Sequence, residues 1–327
     1  MQERHKPVQD ESEPTLNELA WDLVQQALFA SEELRIELLD EVAGATVIDF
    51  GVETVGSLGA GLALAEVCTA GLAEISLCSG EVDGRGWPHV FVTSDSPIEA
   101  CLLSQYAGWR VGTKDFFGMG SGPMRAAAAR EPLFETFDYR EAATHVVGVL
   151  ESNQFPTEAA IAEIAEKCGV ETANIALLVA PTASPAGNLQ VAARSVETAL
   201  HKLHELGYDV THVESATGWA PLPPVAADDL AGIGRTNDAI LYGARVTLMV
   251  HGDDEAVTSL GPRIPSSGSP AHGRPFLEVL EQAGNDFYKI DPLLFSPAEV
   301  VFHNIETGRV HCFGELAPSV LRESFGM

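Results

Sequence analysis

The chain has 327 residues, of which 46% are hydrophobic and 20% charged, which is the composition of a globular protein long enough for two core-bearing lobes. It carries 47 acidic and 19 basic residues, for a formal net charge of −28. Because so negative a surface repels phosphate backbones and anionic membranes, we expect neither a nucleic-acid partner nor a membrane role.

The first half of the chain predicts alternating helices and strands behind an acidic tail. Residues 1–14 are expected to be disordered, and Thr15 with Glu18 forms a capping box that begins a helix running to about Leu39. The stretch FFGMGSGPMRAAAAR, residues 116–130, predicts a glycine-rich loop that leads into a helix. Between them we predict a buried strand at 45–52, a helix at 56–68, a hairpin at 72–93 and a helix from Ser96 to Tyr106.

The second half of the chain repeats part of this pattern. A buried strand at 174–182, a loop and the helix LQVAARSVETALHKLHE at 189–205 follow the same order as residues 45–68. This recurrence suggests a duplicated architecture, and the mixture of elements predicts an α/β or α+β fold. The other predicted elements are a helix from Thr157 to Gly169, strands at 209–217 and 239–250, loops at 218–240 and 252–275, a helix at 275–284, a hairpin at 298–315 and a helix at 318–325.

Motifs for nucleotide and metal cofactors are incomplete. Gly59 and Gly61 form a G-x-G turn, but Leu64 stands where a dinucleotide fingerprint needs a small residue. His201 and His204 are three residues apart, yet no H-E-x-x-H motif or neighbouring Cys/His set completes a zinc site, so a structural or solvent-facing pair is favoured. The five cysteines form no C-x-x-C pair, which is typical of reduced thiols and predicts a cytoplasmic location.

The helix at 189–205 carries a polar stripe beside its core stripe. At about 100° per residue, Gln190, Arg194, Glu197 and His201 lie on one flank. Taken alone, Arg194 and Glu197 are favoured as an exposed ion pair worth at most about 0.5 kcal/mol. The preceding loop, APTASPAGN, supports a second interpretation, because free N–H groups at a helix N-terminus bind ligands. Arg194 would then orient the Glu197 carboxylate as a general base that activates water.

Two further stretches offer groups that suit a ligand. The glycine-rich loop could bind an anionic group, although a tight turn that needs glycines explains the same pattern. The long loop predicted at 218–240 could bind the donor edge of a heterocycle, with turn and cap chemistry as the alternative. The candidate residues in these stretches are Gly120, Ser121, Gly122, Arg125, Arg235, Asn237 and Asp238.

Several strings follow one another along the chain in a characteristic order. They include TVIDFGVET, GLALAEVC, FFGMGSGPMRA, QVAARSVETALHKLHE, YDVTHVESATGWAP and GRTNDAILYGA. Together they resemble the methenyltetrahydromethanopterin cyclohydrolase family, from about residue 44 to the C-terminus. The strings belong to no superfamily of many functions, so the resemblance is specific.

The resemblance implies an α+β fold in which two intertwined α/β halves form a groove between them. Residues 15–327 are expected to form one compact unit of two lobes, with an internal boundary near 145–155 and the chain crossing between the lobes. The implied reaction is hydrolysis of the cyclic amidinium of 5,10-methenyl-tetrahydromethanopterin to the N5-formyl compound. The resemblance implies no metal or redox cofactor. It implies a homo-oligomer, expected to be a trimer.

The family's V-x-x-R-x-x-E-T helix places its catalytic pair on Arg194 and Glu197, which reverses the preference for a surface ion pair. Tyr106 departs from the family pattern, since many archaeal members carry lysine at that position. Two alternatives stay open, a non-catalytic pterin-binding protein of the same fold and a zinc amidohydrolase that uses His201 and His204. Substrate chemistry, rather than the resemblance, assigns binding roles to Gly120, Ser121, Gly122, Thr182, Ser184, Arg235, Asn237 and Asp238.

Overall fold

A computed structural model describes residues 14–39, 42–284, 286 and 289–327, so the tail predicted at 1–14 lies outside it except for Pro14. None of the helices in these ranges is long and apolar enough to span a lipid bilayer. The α-helices are α1 (Leu16–Phe29), α2 (Ser31–Leu34), α3 (Leu58–Cys68), α4 (Met124–Ala128), α5 (Pro132–Phe137), α6 (Glu158–Cys168), α7 (Pro185–Ala192), α8 (Ser195–Glu205), α9 (Asp229–Gly243), α10 (Asp254–Leu260), α11 (Phe276–Gln282) and α12 (Pro318–Phe325), with a π-helix at Ile98–Gln105. The strands are β1 (Glu37–Leu38), β2 (Thr46–Asp49), β3 (Glu74–Val82), β4 (Arg85–Ser94), β5 (Trp109–Gly112), β6 (Phe117–Ser121), β7 (Val146–Glu151), β8 (Ile175–Ala180), β9 (Val213–Pro221), β10 (Arg245–Val250), β11 (Glu299–Asn304) and β12 (Val310–Gly314).

The strands of the described chain form two six-stranded sheets. The first has the order β1-β2-β8-β7-β6-β5 and the second the order β12-β11-β10-β9-β4-β3. The chain enters the second sheet after β2, returns to the first after β4 and leaves it again after β8, so each sheet is built from separated segments. This topology confirms the predicted α+β fold of two intertwined halves. The segment 145–155 contains β7, which lies in the interior of the first sheet.

Helices α7 and α8 lie where the two halves meet. Helix α7 packs against α3, while α8 packs against β9 and β10 of the second sheet. Leu189, Val196 and Leu200 are fully buried in one hydrophobic cluster with Val246 and Phe302. The predicted core stripe is therefore confirmed, and burying it holds the polar flank of these helices at the junction of the halves.

The two strand–helix units that the sequence repeats are neighbours in space. Strands β2 and β8 pair in parallel, and their helices α3 and α7 pack together. A Cβ added at Gly61 would lie 2.8 Å from the Cβ of Leu189. The incomplete G-x-G motif thus allows two helices to approach closely, which only glycine permits at this distance.

The prediction of a glycine-rich loop before residue 123 is wrong, because residues 117–121 form strand β6. Gly120 lies in the middle of this strand, between β5 and β7. A Cβ there would lie 2.5 Å from Met124 Cε and 3.1 Å from the Trp109 carbonyl oxygen. Glycine is needed for close packing inside the sheet rather than for a turn.

The loop predicted at 218–240 is also wrong, because most of it is helix α9. Asp228 begins the helix by accepting a hydrogen bond from the Ala231 N–H at 2.9 Å. Gly234 lies within the helix, where an added Cβ would meet Leu277 Cβ at 3.2 Å. Tertiary packing against α11 and α12 outweighs the low helix propensity of the glycines.

Three smaller boundaries differ from prediction. The helix expected from Thr15 to Leu39 ends at Phe29, and after the short α2 the chain turns through Arg35, whose φ is 58°, into β1. The strand expected at 239–250 begins only at Arg245, because α9 occupies the preceding residues. The loop expected at 252–275 contains α10.

Candidate active site

The predicted helix at 189–205 is two helices that meet at Arg194. Arg194 has backbone angles φ −89° and ψ 11° and occupies the N-cap position of α8. Helix α7 begins earlier than predicted, at Pro185, with Ser184 as its cap. Arg194 and Glu197 therefore do not share one regular helix, although they stay close to each other in the fold.

The guanidinium of Arg194 is held by the ends of three other elements. Its Nη1 donates to the Gln105 carbonyl oxygen at 2.7 Å, and its Nη2 donates to Ser121 Oγ at 3.1 Å. The same Nη2 lies 3.9 Å from Cys68 Sγ. Gln105 ends the π-helix, Ser121 ends β6 and Cys68 ends α3. Arg194 is only 7% exposed, so these contacts hold a buried cation.

Glu197 lies in the first turn of α8 and is 6% exposed. Burial raises the pKa of its carboxyl group to about 7, and the charges of Arg194 and then Arg125 oppose that rise. Within the residues that the structure describes, the carboxylate accepts no hydrogen bond, including any from Arg194. Arg194 and Glu197 therefore do not form the exposed ion pair that their spacing alone favoured. Arg194 acts on Glu197 through its charge, and the carboxylate is left without a fixed partner.

Arg125 lies near this pair but is committed to other groups. It is fully buried and forms a hydrogen-bonded ion pair with Glu131. Its Nη1 donates to the carbonyl oxygens of Leu102 and Ser104, each at 3.0 Å. The donors of Arg125 are therefore used within the fold, and its expected role in binding an anionic group stays a prediction. Its charge instead helps to lower the pKa of Glu197.

The ring of Tyr106 joins Arg125 to His201. Its centroid lies 4.4 Å from that of His201 with 17° between the planes, and the Cζ of Arg125 lies 5.0 Å from the Tyr106 ring. Burial, followed by the negative charge of Glu197, raises the pKa of Tyr106 to about 12. A neutral phenol therefore lies against helix α8.

The two histidines considered as zinc ligands have separate packing partners. The His201 ring stacks on Tyr106, whereas the His204 ring packs on Phe137 with 6.1 Å between centroids. Across residues 14–39, 42–284, 286 and 289–327, no group of three or more His, Cys, Asp or Glu side chains is placed to hold a metal ion. The zinc alternative therefore has no ligand set in these ranges.

Of the glycine-rich candidates, only Ser121 reaches Arg194. Its Oγ accepts the Nη2 hydrogen bond and lies 3.3 Å from Cys68 Sγ. The Gly122 N–H donates to the Ser104 carbonyl oxygen at 2.9 Å, and Gly120 is enclosed in the sheet. The backbone of these glycines serves β6 and the π-helix, and the anion-binding role assigned to Gly120, Ser121 and Gly122 stays a prediction.

Thr182 and Ser184 hold the start of α7. The Thr182 hydroxyl donates to the Glu151 carboxylate. The Ser184 hydroxyl donates to the Pro181 carbonyl oxygen at 2.8 Å and accepts from the Gly187 N–H at 3.0 Å. Both residues are buried, so they stabilise the turn between β8 and α7, and the free N–H groups expected in this loop are partly used by its own cap.

The three candidates at 235–238 lie in α9, which replaces the predicted loop. Arg235 donates from Nε to the Ser324 carbonyl oxygen at 3.2 Å. Asn237 donates to the carbonyl oxygen one turn earlier in its own helix, at 2.9 Å. Asp238 accepts the Phe276 N–H at 2.7 Å. Arg235 and Asp238 thus join α9 to α12 and α11. The heterocycle-binding role assigned to the three residues stays a prediction.

Asp238→Asn is expected to change how stability depends on pH. Burial raises the pKa of Asp238 to about 7, against hydrogen bonds from Ser324 and the Phe276 N–H. Because the protonated form favours the fold, the stabilisation present below the ordinary value of 3.8 is lost as pH rises through about 7. Asparagine lacks this titration, so the unfolding free energy relative to wild type should shift in favour of the variant by roughly 2 kcal/mol between about pH 5 and pH 8.

Urea unfolding of wild type and Asp238→Asn at the two pH values measures that shift. Asp83→Asn is a suitable control, because its side chain is 41% exposed in a surface pair with Arg322. A difference between wild type and Asp238→Asn that is the same at both pH values would contradict the prediction.

Two residues that hold Arg194, Cys68 and Gln105, were not among the predicted site residues. Gln190 was placed on the polar stripe, and its Nε2 lies 3.5 Å from Cys68 Sγ. Nothing in the local pattern marks Cys68 or Gln105, because each is the last residue of a helix from a distant part of the chain. The resemblance of the string GLALAEVC, which ends at Cys68, was the one available signal.

The chain folds as two intertwined α/β halves with a buried acid and a buried cation at their junction, and comparison with known families identifies it as a hydrolase. The cyclohydrolase (MCH) family matches residues 15–325. This match covers all the elements that build the site, from α1 to α12.

Individual relatives are similar over nearly the same length. The chain is 48% identical to methenyltetrahydromethanopterin cyclohydrolase of Rhodopirellula baltica, over 88% of this chain and 87% of that protein. It is 43% identical to the protein of that name from Methylobacillus flagellatus, over 96% of each chain. It is 41% identical to the one from Methanocella arvoryzae, over 95% of this chain and 98% of the other. The chain therefore belongs to the methenyltetrahydromethanopterin cyclohydrolase family.

Proposed function

We propose that this chain hydrolyses the cyclic amidinium of 5,10-methenyl-tetrahydromethanopterin to N5-formyl-tetrahydromethanopterin. The names and the nearly full-length similarity of its relatives support this substrate. The observation that carries the mechanism is the buried Glu197 carboxylate, which has no hydrogen-bond partner among the described residues and a pKa of about 7. A base with such a pKa is ionised in a large fraction of molecules near neutral pH and still accepts a proton readily.

The chemistry requires one water molecule and a base. The methenyl carbon lies between two nitrogens and shares their positive charge, so it is already an electrophile. The water oxygen forms a bond to this carbon while Glu197 takes a proton from the water. The bond from the carbon to N10 then breaks as N10 takes the proton held by Glu197. The remaining hydroxyl proton is released to solvent, and the formyl group stays on N5. One water is consumed and one proton is released overall.

Glu197 has a second role in this proposal, because its negative charge lies where a cationic substrate must bind. A carboxylate in a water-poor site attracts a cation more strongly than one in bulk water. Arg194 and Arg125 keep the acid from becoming fully protonated, since both charges lower the pKa that burial raises. Arg194, whose charge has the larger effect of the two, is therefore the main residue that keeps the base ionised.

An absorbance assay tests the proposal directly. Purified protein is mixed with the methenyl compound, and the loss of its near-ultraviolet absorbance is followed against buffer alone. We expect a clear acceleration, and prior treatment with a chelator followed by desalting is expected to leave the rate unchanged, since the proposed steps use only side chains and water. A rate that falls with chelation and returns with zinc would favour the zinc amidohydrolase. Binding of the compound without acceleration would favour the non-catalytic pterin-binding protein.

The assembly and location of the chain are also proposals. We infer a homotrimer in the cytoplasm, supported by the family resemblance and, for the location, by cysteine usage. Size-exclusion chromatography with light scattering should give three times the 34.7 kDa mass of the chain.

A further inference from the structure

Cys68 lies at the centre of the polar contacts that hold Arg194. It is the last residue of α3 and is fully buried. Its Sγ lies 3.3 Å from Ser121 Oγ, 3.5 Å from Gln190 Nε2 and 3.9 Å from Arg194 Nη2. Ser121 Oγ is also the acceptor of the Arg194 Nη2 hydrogen bond, at 3.1 Å. The sulfur therefore contacts both the guanidinium and the hydroxyl that binds it.

The backbone beside Cys68 is tied to the same group of residues. Its carbonyl oxygen accepts the Ser104 hydroxyl at 2.7 Å, and its Sγ lies 3.9 Å from the Gln105 carbonyl oxygen. That Gln105 oxygen also accepts Arg194 Nη1 at 2.7 Å. A thiol is one weak donor and a weak acceptor, so it can donate to Gln105 while accepting from Gln190 and Arg194. The thiol thus matches the donors and acceptors around it.

We propose that Cys68 is a positioning residue for the Arg194 guanidinium, an inference that rests on the proposed hydrolysis. The sulfur limits where Nη2 can lie and so helps direct it to Ser121. That direction sets the distance between the Arg194 charge and Glu197. Cys68 itself takes no part in bond making, because its side chain is enclosed by these partners. Without the sulfur, buried donors of Gln190 and Arg194 lose a partner, and such groups are costly to leave unpaired.

Cys68→Ala tests the positioning role, with Cys168→Ala as a matched control. Cys168 is also buried, but its Sγ contacts the Met124 carbonyl oxygen at 3.5 Å and it packs in a different hydrophobic cluster. We expect Cys68→Ala to lower kcat about tenfold with little change in KM, the loss typical of one hydrogen bond to a charged group. Cys168→Ala should have a kcat within about twofold of wild type, even if its Tm falls by as much as that of Cys68→Ala.

Two further variants separate positioning from a general loss of stability. Cys68→Ser keeps a donor and an acceptor and should recover part of the lost kcat. In the Arg194→Ala background, Cys68→Ala should have no further effect on the residual rate, since the group it positions is gone. If Cys68→Ala does not fold, Cys68→Ser is made in the wild-type and Arg194→Ala backgrounds instead. In the wild-type background it should lower kcat by less than the tenfold expected of alanine. In the Arg194→Ala background it should leave the residual rate unchanged.

Specific results would overturn the inference. A wild-type kcat in Cys68→Ala, or in Cys68→Ser where the alanine variant does not fold, would show that the sulfur does not position Arg194. The same fold loss in both the wild-type and Arg194→Ala backgrounds would show a role that does not pass through Arg194. A wild-type chain that does not hydrolyse the methenyl compound would instead refute the proposed function itself.

Discussion

Glu197→Gln is expected to lower kcat for hydrolysis of the methenyl compound at least about 100-fold. Glutamine preserves the size of the side chain, but it cannot take a proton from water and carries no charge to face the cationic substrate. A 100-fold loss corresponds to roughly 2.7 kcal/mol of transition-state stabilisation, within the usual contribution of a general base. The absorbance assay at saturating substrate measures it.

Glu205→Gln is the matched control for this prediction. Glu205 lies on the same helix α8, but its side chain is 58% exposed. Its kcat is expected to stay within about twofold of wild type, because an exposed carboxylate contributes little to a buried site. A Glu197→Gln variant with a rate near that of wild type would remove Glu197 from the mechanism.

The pH dependence gives an independent test of the same residue. The ionised carboxylate is the active form, so the wild-type rate should rise as pH increases through about 7, the pKa of Glu197. Glu197→Gln should lack this limb. The stabilisation linked to the protonated form is present below the ordinary value of 4.5 and lost as pH rises through about 7. The variant should therefore be no less stable than wild type at about pH 8, which shows that its lost activity is not unfolding.

Arg194→Ala is expected to lower kcat by about 100-fold as well, through a different physical cause. Removing the guanidinium takes away a charge that lowers the pKa of Glu197, so the rising limb of the pH profile should move to higher pH. It also leaves the Gln105 carbonyl oxygen and the Ser121 hydroxyl without their buried donor. Rates measured across the pH range separate the pKa effect from the loss at high pH.

Arg194→Lys should recover only part of this loss. A lysine keeps the charge, but one ammonium group cannot place two nitrogens on Gln105 and Ser121 as the planar guanidinium does. Arg245→Ala is the control, because that side chain is 45% exposed and pairs with Glu299 on the second sheet. A pH–rate profile for Arg194→Ala with the same maximum rate and the same midpoint pH as wild type would contradict the role given to Arg194.

Much of the local structure followed from patterns of neighbouring residues. The hairpin at 72–93 and the hairpin near the C-terminus form as predicted, because strand alternation and turn residues act over a few positions. The stripe of Leu189, Val196 and Leu200 is buried as its helical spacing requires. The α+β fold of two intertwined halves followed from the family resemblance and is confirmed.

The errors occur where distant segments decide the outcome. Glycines at 118–120 and 232–234 indicated loops, but close packing places the first set in β6 and the second in α9. Because α9 is a helix, Arg235 and Asp238 contact the neighbouring helices α12 and α11. A propensity reports only what a residue prefers in isolation, and tertiary contacts outweigh it.

For the site, the sequence by itself determined the residue types, their spacing and the family, and hence the choice of Arg194 and Glu197. Only the tertiary structure decided that both are buried, and that Arg194 is bound by Cys68, Gln105 and Ser121 rather than by Glu197. These partners lie 126, 89 and 73 residues away from Arg194 along the chain. Periodicity identifies the face of a helix, but the pKa of an acid on that face depends on which distant segments exclude water from it.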